Sequence, residues 1–223
     1  AAQRTLVSLA AISNLEAAGQ QKTTDEKAVF SVNYQLDLLN DTAVNFKDIV
    51  PTIRAGYDTL TANQKTLVSK LADLEKAEVK YQEYETTASQ LTTDIEALNS
   101  ASATFQQDVQ TVNGKYNALN LAQQSFISDV TKAKLNEMVA LSITNANSAD
   151  AVIAQIQALA VTNENFLADV QAVRAAYNAL TPTQQGLVTN LVGLESAEAI
   201  ATKITNVVDK ITAIPETTVV GLV

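Results

Sequence analysis

The side chains of this sequence that can do acid–base chemistry are mainly carboxylates. The chain has 24 Asp and Glu residues and 15 Lys and Arg residues, but no His and no Cys. Without His it lacks the commonest general base and metal ligand, and without Cys it has no thiolate and no disulfide framework. A pair of carboxylates could still hydrolyse a glycosidic bond, but no such pair recurs in an apolar setting. We therefore expect no catalytic residues and no enzyme activity.

Two stretches carry clustered Asn and Asp oxygens of the kind that bind Ca²⁺. They are "TNANSAD" at 144–150 and "LNDTAVNFKD" at 39–48. Neither has the central Gly or the terminal Glu of an EF-hand loop. Helix capping by Asn147, Ser148 or Asp41 is therefore favoured. We expect no cofactor and no metal site, with calcium as the alternative.

The net charge of −9 disfavours a nucleic-acid partner, because such a partner needs clustered Lys and Arg. The sequence also contains no apolar run of about 18 residues, the length that a membrane-spanning helix requires. Its stretch "LVSLAAI" at 6–12 is far too short. We expect neither nucleic-acid binding nor a membrane span.

One pattern of three residues, Phe, Tyr and Gln, recurs three times along the chain. In each copy a Phe precedes a Tyr by eleven residues, and the Tyr precedes a Gln by seven. The copies comprise Phe46, Tyr57 and Gln64 (first), Phe105, Tyr116 and Gln123 (middle), and Phe166, Tyr177 and Gln184 (third). They follow one another at 59 and 61 residues, which is typical of a repeat architecture.

The Phe and Tyr of each copy belong to one apolar stripe. Apolar residues follow each Phe at steps of 4, 3, 4 and 3, which places them on a single face of a helix. Core packing is therefore favoured over ligand stacking for Phe46, Tyr57, Phe105, Tyr116, Phe166 and Tyr177. Pro51 stands within this helix in the first copy only, and it predicts a kink or a delayed helix start at 49–51.

Each Gln closes a helix corner. Thr61 with Gln64, and Thr181 with Gln184, match the S/T-x-x-E/Q capping box, and Asn120 with Gln123 keeps an Asn cap. Pro182 stands at the first helical position, where its missing N–H has no consequence. We predict these six residues as caps of the third helix in each copy.

Apolar spacing predicts three helices per copy. Continuous helices are expected over 64–98 and 184–214, an interruption is expected at 142–150, and a second is favoured at 17–26. Val130 is expected in the core of the middle copy. The predicted fold is all-α: tandem three-helix bundles of about 60 residues, joined by continuous helices into an elongated rod.

The period also predicts boundaries between the bundles. Residues 1–22 are the last helix of a truncated preceding repeat, and residues 199–223 are the first helix of a truncated following repeat plus an extended linker. Between them lie three repeats, at 23–79, 80–140 and 141–198. Because both ends cut the period within a repeat, we expect a parent protein that continues in both directions.

The stretch "VRAAYNALTPTQQGLV" at 173–188, followed by "LVGLESAE" at 191–198, resembles helical repeats of large Gram-positive bacterial surface proteins. These include surface-layer (S-layer) proteins and modular wall-attached proteins. In architecture the chain also resembles spectrin repeats and the three-helix modules of giant staphylococcal-type adhesins. The resemblance covers nearly all of residues 1–214 and implies an extracellular scaffold at the cell surface or cell wall.

The expected function is a non-catalytic spacer that presents other domains. Its expected partners are other copies or neighbouring domains of the same surface protein. The alternative is a binding module for cell-wall carbohydrate or a host protein, with Tyr34, Tyr81 and Tyr84 as candidates for an exposed binding face. The scattered basic residues disfavour direct binding to anionic wall polymers.

Overall fold

A computed structural model describes residues 9–214, and all the regular secondary structure in this range is helical, which confirms the all-α prediction. The helices are α1 Leu9–Asp37, α2 Phe46–Asp58, α3 Ala62–Thr66, α4 Leu71–Glu96, α5 Phe105–Asn117, α6 Leu121–Ser125, α7 Asp129–Ala158, α8 Phe166–Ala179, α9 Pro182–Gln185 and α10 Leu191–Thr212. The extended linker predicted at the end of the chain lies outside the described residues.

The described chain divides into two compact units. Unit 1 comprises the described residues through 96 together with 114–132, and unit 2 comprises 97–113 together with the described residues from 133 onward. In unit 1 the helices α1, α2 and α4, with the turns on either side of α3, supply a core of Val29, Val32, Leu36, Ile53, Leu60, Val68 and Leu74. In unit 2 the core from α7, α8, α10 and the turn after α9 includes Ala149, Val152, Ile156, Phe166, Val170, Val173, Val188, Leu194 and Ala197.

The helices repeat at 120 residues more faithfully than at 60. Helices α2 and α4 begin at Phe46 and Leu71, and α8 and α10 begin 120 residues later, at Phe166 and Leu191. The first and third copies therefore correspond without insertion or deletion across these elements. The middle copy has the same order of helices with a different spacing.

The third helix of each copy is broken into two pieces, so the predicted continuous helix from Gln64 is wrong in its first turns. Helix α3 ends at Thr66 and α4 begins at Leu71. Between them the chain turns so that Val68 enters the core, and the Ser69 N–H donates to Asn33 Oδ1 at 3.3 Å. The third copy breaks in the same way between α9 and α10, where Val188 is buried.

The interruption predicted at 142–150 is also wrong, because α7 runs unbroken through it. Thr144 and Ser148 donate their hydroxyls to carbonyls four residues earlier, at 3.0 and 2.9 Å. The buried Asn145 is satisfied by another helix, as described below. Similarly, α1 runs unbroken through 17–26, where the Thr23 hydroxyl donates to the Gly19 carbonyl at 3.0 Å.

Helix α2 passes through Pro51 and begins at Phe46, so the predicted delay of its start is wrong. The reason is a turn that is common to the three copies. The N–H of Phe46 donates to the carbonyl three residues earlier at 3.0 Å, and Phe105 and Phe166 do the same at 3.2 and 3.0 Å. Because all three copies have this turn, the helix begins at the Phe whether or not a Pro follows within it.

The expected core position of Val130 is wrong as well, since its side chain is 80% exposed. In the middle copy only residues 126–128 separate the short helix from the long one, against 67–70 in the first copy. The shorter turn changes the register of α7. Thr131 and Leu135 are buried in its first turns instead.

Candidate functional site

The repeated aromatic residues are buried or half-buried, as expected for core packing rather than for ligand stacking. Phe46, Phe105 and Phe166 are buried. Tyr57 and Tyr177 are half-buried and pack against the cores of units 1 and 2. Tyr116, in the middle copy, is also half-buried. None of these six rings lies fully exposed to solvent.

A complete capping box forms at each of the three corners. The N–H of Gln64, Gln123 and Gln184 donates to the cap side chain at 3.3, 2.9 and 3.3 Å. In return, each Gln Oε1 accepts the backbone N–H of Thr61, Asn120 and Thr181, at 2.9 Å in every case. These reciprocal bonds satisfy backbone donors that a helix start otherwise leaves unpaired.

In the first and third copies the corner glutamine also ties two helices together. Gln64 Nε2 donates to Asp25 Oδ1 on α1 at 3.0 Å, and Gln184 Nε2 donates to Asn145 Oδ1 on α7 at 3.1 Å. In both cases the acceptor stands 39 residues before the Gln. Sequence reasoning found the cap but not this tie, for which the spacing of 39 is the available signal.

The middle copy replaces this tie with an aromatic residue. Tyr84 stands 39 residues before Gln123, where the other copies have Asp25 and Asn145. Its hydroxyl accepts a hydrogen bond from Asn120 Nδ2 at 3.5 Å, and its ring is buried in unit 1. The corner is thus bound to the preceding long helix in all three copies, through different side chains.

A second recurring contact is a bidentate Arg–Glu pair between helices. Arg54 of α2 binds both oxygens of Glu78 on α4, and Arg174 of α8 binds those of Glu198 on α10. In unit 2 the two N–O distances are 2.5 and 2.7 Å. Each Arg also lies over the Tyr three residues later, with 5.2 and 5.3 Å from the guanidinium carbon to the ring centroid. The middle copy has Asn113 at this position.

These pairs shift the pKa values of Arg54, Arg174 and Glu198. The hydrogen bond to Glu78 raises the pKa of Arg54, and the hydrogen bond to Glu198 raises that of Arg174. The hydrogen bond from Arg174 lowers the pKa of the Glu198 carboxyl. Ion pairing therefore holds these groups in their charged forms, which is the opposite of what a general acid near neutral pH requires.

Of the three tyrosines that the sequence suggested for an exposed binding face, only Tyr34 is exposed. Tyr84 is buried, and Tyr81 is half-buried with its ring edge against Phe126 at 4.8 Å. For these two residues the expected exposure is corrected, because the corner of the middle copy packs over them. Tyr34 is 53% exposed and stacks on Phe30, which is 68% exposed, with 5.9 Å between ring centroids.

The side-chain oxygens considered as calcium ligands take part in other interactions. Asp41 pairs with Lys80 at 2.5 Å, and Asn40 Oδ1 accepts the Thr42 N–H at 3.0 Å. Asn147 and Ser148 lie within α7, so neither caps a helix as expected. Among the described residues no cluster of three or more His, Cys, Asp or Glu side chains is arranged to hold a metal ion.

A surface groove runs beside each Arg–Glu pair. In unit 2 it lies between α8 and α10, with a volume of about 520 Å³, and its lining includes Leu167, Val170, Arg174, Glu198 and Ala201. The matching groove of unit 1 is about 230 Å³ and is lined by Val50, Pro51, Arg54, Glu78, Tyr81 and Gln82. Tyr81 stands where unit 2 has Ala201, which accounts for part of the difference in volume.

Searches against protein families, curated proteins and solved structures give no match to this chain. No helix among residues 9–214 combines the length and the apolar character needed to cross a bilayer.

Proposed function

We propose that this chain is a non-catalytic structural segment of an extracellular bacterial surface protein, of the S-layer or wall-associated kind. It spaces or presents other domains. In this proposal its helices form tandem three-helix units in an elongated array. The resemblance noted in the sequence supports the location, and the repeated contacts support the mechanical role.

The observation that carries the proposal is the recurrence of one set of structural contacts. The corner cap, the glutamine tie and the Arg–Glu pair all reappear 120 residues later with the same partners or close equivalents. Each of these contacts joins one helix to another or closes a helix end. A spacer is expected to repeat such contacts along its length, whereas a binding or catalytic site is usually confined to one place.

The long helix α4 supports the tandem arrangement within unit 1. Near its start, Leu74 belongs to the core formed with α1 and α2. Further along, Tyr84 packs with Phe46 of α2 and with Ala122 of α6, which is the corner of the middle copy. One helix thus takes part in the packing of two successive copies, as a continuous array requires.

Co-sedimentation with purified Gram-positive cell-wall sacculi tests the spacer role. The sacculi are used before and after removal of their secondary polymers, with and without calcium. A spacer is expected to remain in the supernatant in every condition. Pelleting that is lost when the polymers are stripped would contradict the proposal and assign wall anchoring to this chain.

One observation favours the alternative of a binding module. Phe30 and Tyr34 form an exposed, stacked aromatic pair on α1, and the corresponding residues 120 positions later are Asp150 and Ala154. An aromatic surface pair found in one unit only is typical of a specific contact. Here the expected partner is a wall carbohydrate or a host protein.

The double variant Phe30→Ala with Tyr34→Ala tests this alternative in the same pelleting assay, and against immobilised host matrix proteins. Its control is Val79→Ala, another exposed apolar residue of unit 1. Binding that the double variant loses and the control retains would support a binding module. Equal behaviour of both variants would leave the aromatic pair without a role in binding.

A further inference from the structure

Helix α1 carries a second stripe of side chains on the side that faces away from the core. Val29, Val32 and Leu36 of this helix are buried in unit 1. The residues of the second stripe, here called the aromatic stripe, are all exposed: Thr23, Lys27, Phe30, Tyr34 and Asp37. They follow one another at steps of 4, 3, 4 and 3 residues, which is the heptad spacing with which one helix packs along another.

Two rings occupy the centre of the aromatic stripe. Phe30 and Tyr34 are both more than half exposed, and their rings stack with 5.9 Å between centroids. Leu38, directly after α1, is 60% exposed and extends the apolar surface by one more turn. A contiguous group of large exposed apolar side chains usually marks an interaction surface.

The other long helices do not carry rings at the corresponding positions. These positions lie 59 and 120 residues later, which are the offsets that bring Val29 onto the buried Ala88 and Ala149. They are exposed as well and hold polar or small side chains: Ser89 and Thr93 on α4, and Asp150 and Ala154 on α7. The packing of the repeat therefore does not require the two rings of α1.

A basic and an acidic residue flank the rings at equal distances. Lys27 stands three residues before Phe30, and Asp37 stands three residues after Tyr34. The Asp37 side chain is 52% exposed, and its ion pair with Lys70 is made by Oδ1. The order Lys, Phe, Tyr, Asp is complementary to its own reverse, because aromatic then meets aromatic and Lys meets Asp. An antiparallel second copy of α1 thus presents a matching surface.

We propose that the aromatic stripe is the contact surface between two copies of this chain, whose α1 helices pack antiparallel across a two-fold axis. Phe30 of each copy packs on the partner's Tyr34, and Lys27 of each copy pairs with the partner's Asp37. Such a contact is isologous, because both subunits use the same surface. The inference goes beyond the proposed spacer role, since it names a second copy of the chain as a partner.

The size of the aromatic stripe makes this a weak dimer. The two partly exposed rings contribute about 250 Å² per copy, against about 800 Å² per partner in a standard stable interface. We therefore expect a dissociation constant of about 0.1–1 mM for the chain in solution. The exposed Lys27–Asp37 pairs orient the two helices more than they strengthen the contact. Many copies held at one surface, as the proposed location provides, associate at a higher effective concentration.

Sedimentation equilibrium of the natural chain tests the contact. A dimer is expected to accumulate as the concentration rises to about 1 mM. The double variant Phe30→Ala with Tyr34→Ala is expected to weaken dimerisation by about tenfold or more. The control Val79→Ala, at another exposed apolar position of unit 1, is expected to change it by less than about twofold. A natural chain that stays monomeric, or a double variant that associates as well as the natural chain, would overturn the proposal.

Two lysines of α1 test the expected ion pair. Lys27→Glu sets a carboxylate against the partner's Asp37, so it is expected to weaken dimerisation by about threefold or more. Lys22→Glu makes the same change of charge on the same helix, outside the aromatic stripe, and its parent side chain is 77% exposed. It is expected to have a smaller effect. Equal effects of the two variants would contradict the antiparallel register.

Disulfide formation tests the register directly, because the natural chain has no Cys. Chains with Lys27→Cys and chains with Asp37→Cys are mixed in equal amounts and oxidised. Antiparallel packing brings the two different thiols together, whereas identical positions lie about 15 Å apart along the helix axis, beyond the roughly 7 Å between Cα atoms that a disulfide spans. The mixed disulfide is expected to exceed the two same-residue products together by about fivefold or more. Equal amounts, or an excess of same-residue products, would overturn the proposal.

The co-sedimentation assay with sacculi separates this dimer from the other candidate occupants of the rings. Pelleting that the double variant loses, combined with a natural chain that stays monomeric in solution, would assign the rings to a wall component and overturn the dimer. Pelleting by a chain that also dimerises through the rings would contradict the spacer role alone. The failure of the proposed function and the failure of this inference are therefore distinguishable.

Discussion

The corner glutamine is the residue on which the most contacts converge. Gln64 donates its N–H to Thr61, accepts the N–H of Thr61, and donates its side-chain amide to Asp25. Gln184 makes the same three bonds, with Asn145 as its distant acceptor. A Glu at this position preserves the cap and removes only the donor of the tie, so the two roles can be separated.

Gln64→Glu is expected to lower the free energy of unfolding by about 1–2 kcal/mol at neutral pH, because it sets a second carboxylate against Asp25. Gln184→Glu is expected to lower it by less than about 0.5 kcal/mol, since the Asn145 amide can turn and donate to the new carboxylate. Urea unfolding of both variants measures the difference. Equal losses would contradict the assigned acceptors, Asp25 for Gln64 and Asn145 for Gln184.

Glu198 gives the chain a defined response to acid. The hydrogen bond from Arg174 lowers the pKa of this carboxyl in the folded state. Its contribution is therefore present above the unfolded value of about 4.3 and is lost as the pH falls through the lower, folded value. The stabilisation is modest, at about 0.5–1 kcal/mol, because about a third of each side chain is exposed to solvent.

Glu198→Gln is expected to lower the free energy of unfolding at pH 7, and its difference from the wild type is expected to shrink as the pH falls below the unfolded-state pKa, because the wild-type carboxyl then takes up its proton. Chemical unfolding at a series of pH values measures this, with Glu137→Gln on the exposed side of α7 as the control. A wild-type advantage that persists undiminished at pH 2 would contradict the assigned ion pair.

Helix α2 differs from its counterpart α8 by a glycine at a well-packed position. The nearest atom to a Cβ added at Gly56 would be Val32 Cγ2, at 3.6 Å, an ordinary contact distance. The equivalent residue of α8 is Ala176. Since Gly in a helix interior is less stable than Ala, Gly56→Ala is expected to stabilise the chain by about 0.5–1 kcal/mol.

Gly193→Ala on α10 is the matched comparison, because its Cβ would lie 3.2 Å from Ile156 Cγ2. It is expected to give a smaller gain than Gly56→Ala, or a loss. Urea midpoints of the two variants decide between these outcomes. A destabilising Gly56→Ala would mean that α1 and α2 pack more closely than described.

Local spacing predicted the elements that depend on neighbours in sequence. The stripe from Phe46 to Tyr57 and the caps at Thr61 and Thr181 depend on residues within a few turns, and the structure has a helix and capping boxes there. The break after Thr66 and the continuity of α7 through Asn145 were not predicted. Both depend on residues far along the chain: the entry of Val68 into the core, and the bond from Gln184.

At the scale of the whole molecule, the 120-residue repeat distinguishes the middle copy from the other two. The first and third copies share the Arg–Glu pair and the glutamine tie, while the middle copy has Asn113 and Tyr84 in their places. The array we propose therefore alternates two kinds of unit.

The measurement that most directly tests the spacer array is small-angle X-ray scattering of the natural chain in dilute solution. A compact domain of this length has a radius of gyration of about 17 Å. An elongated array is expected to give a value well above this, with a pair-distance distribution that tails to long distances. A value near 17 Å with a symmetric distribution would contradict the array and the spacing role built on it.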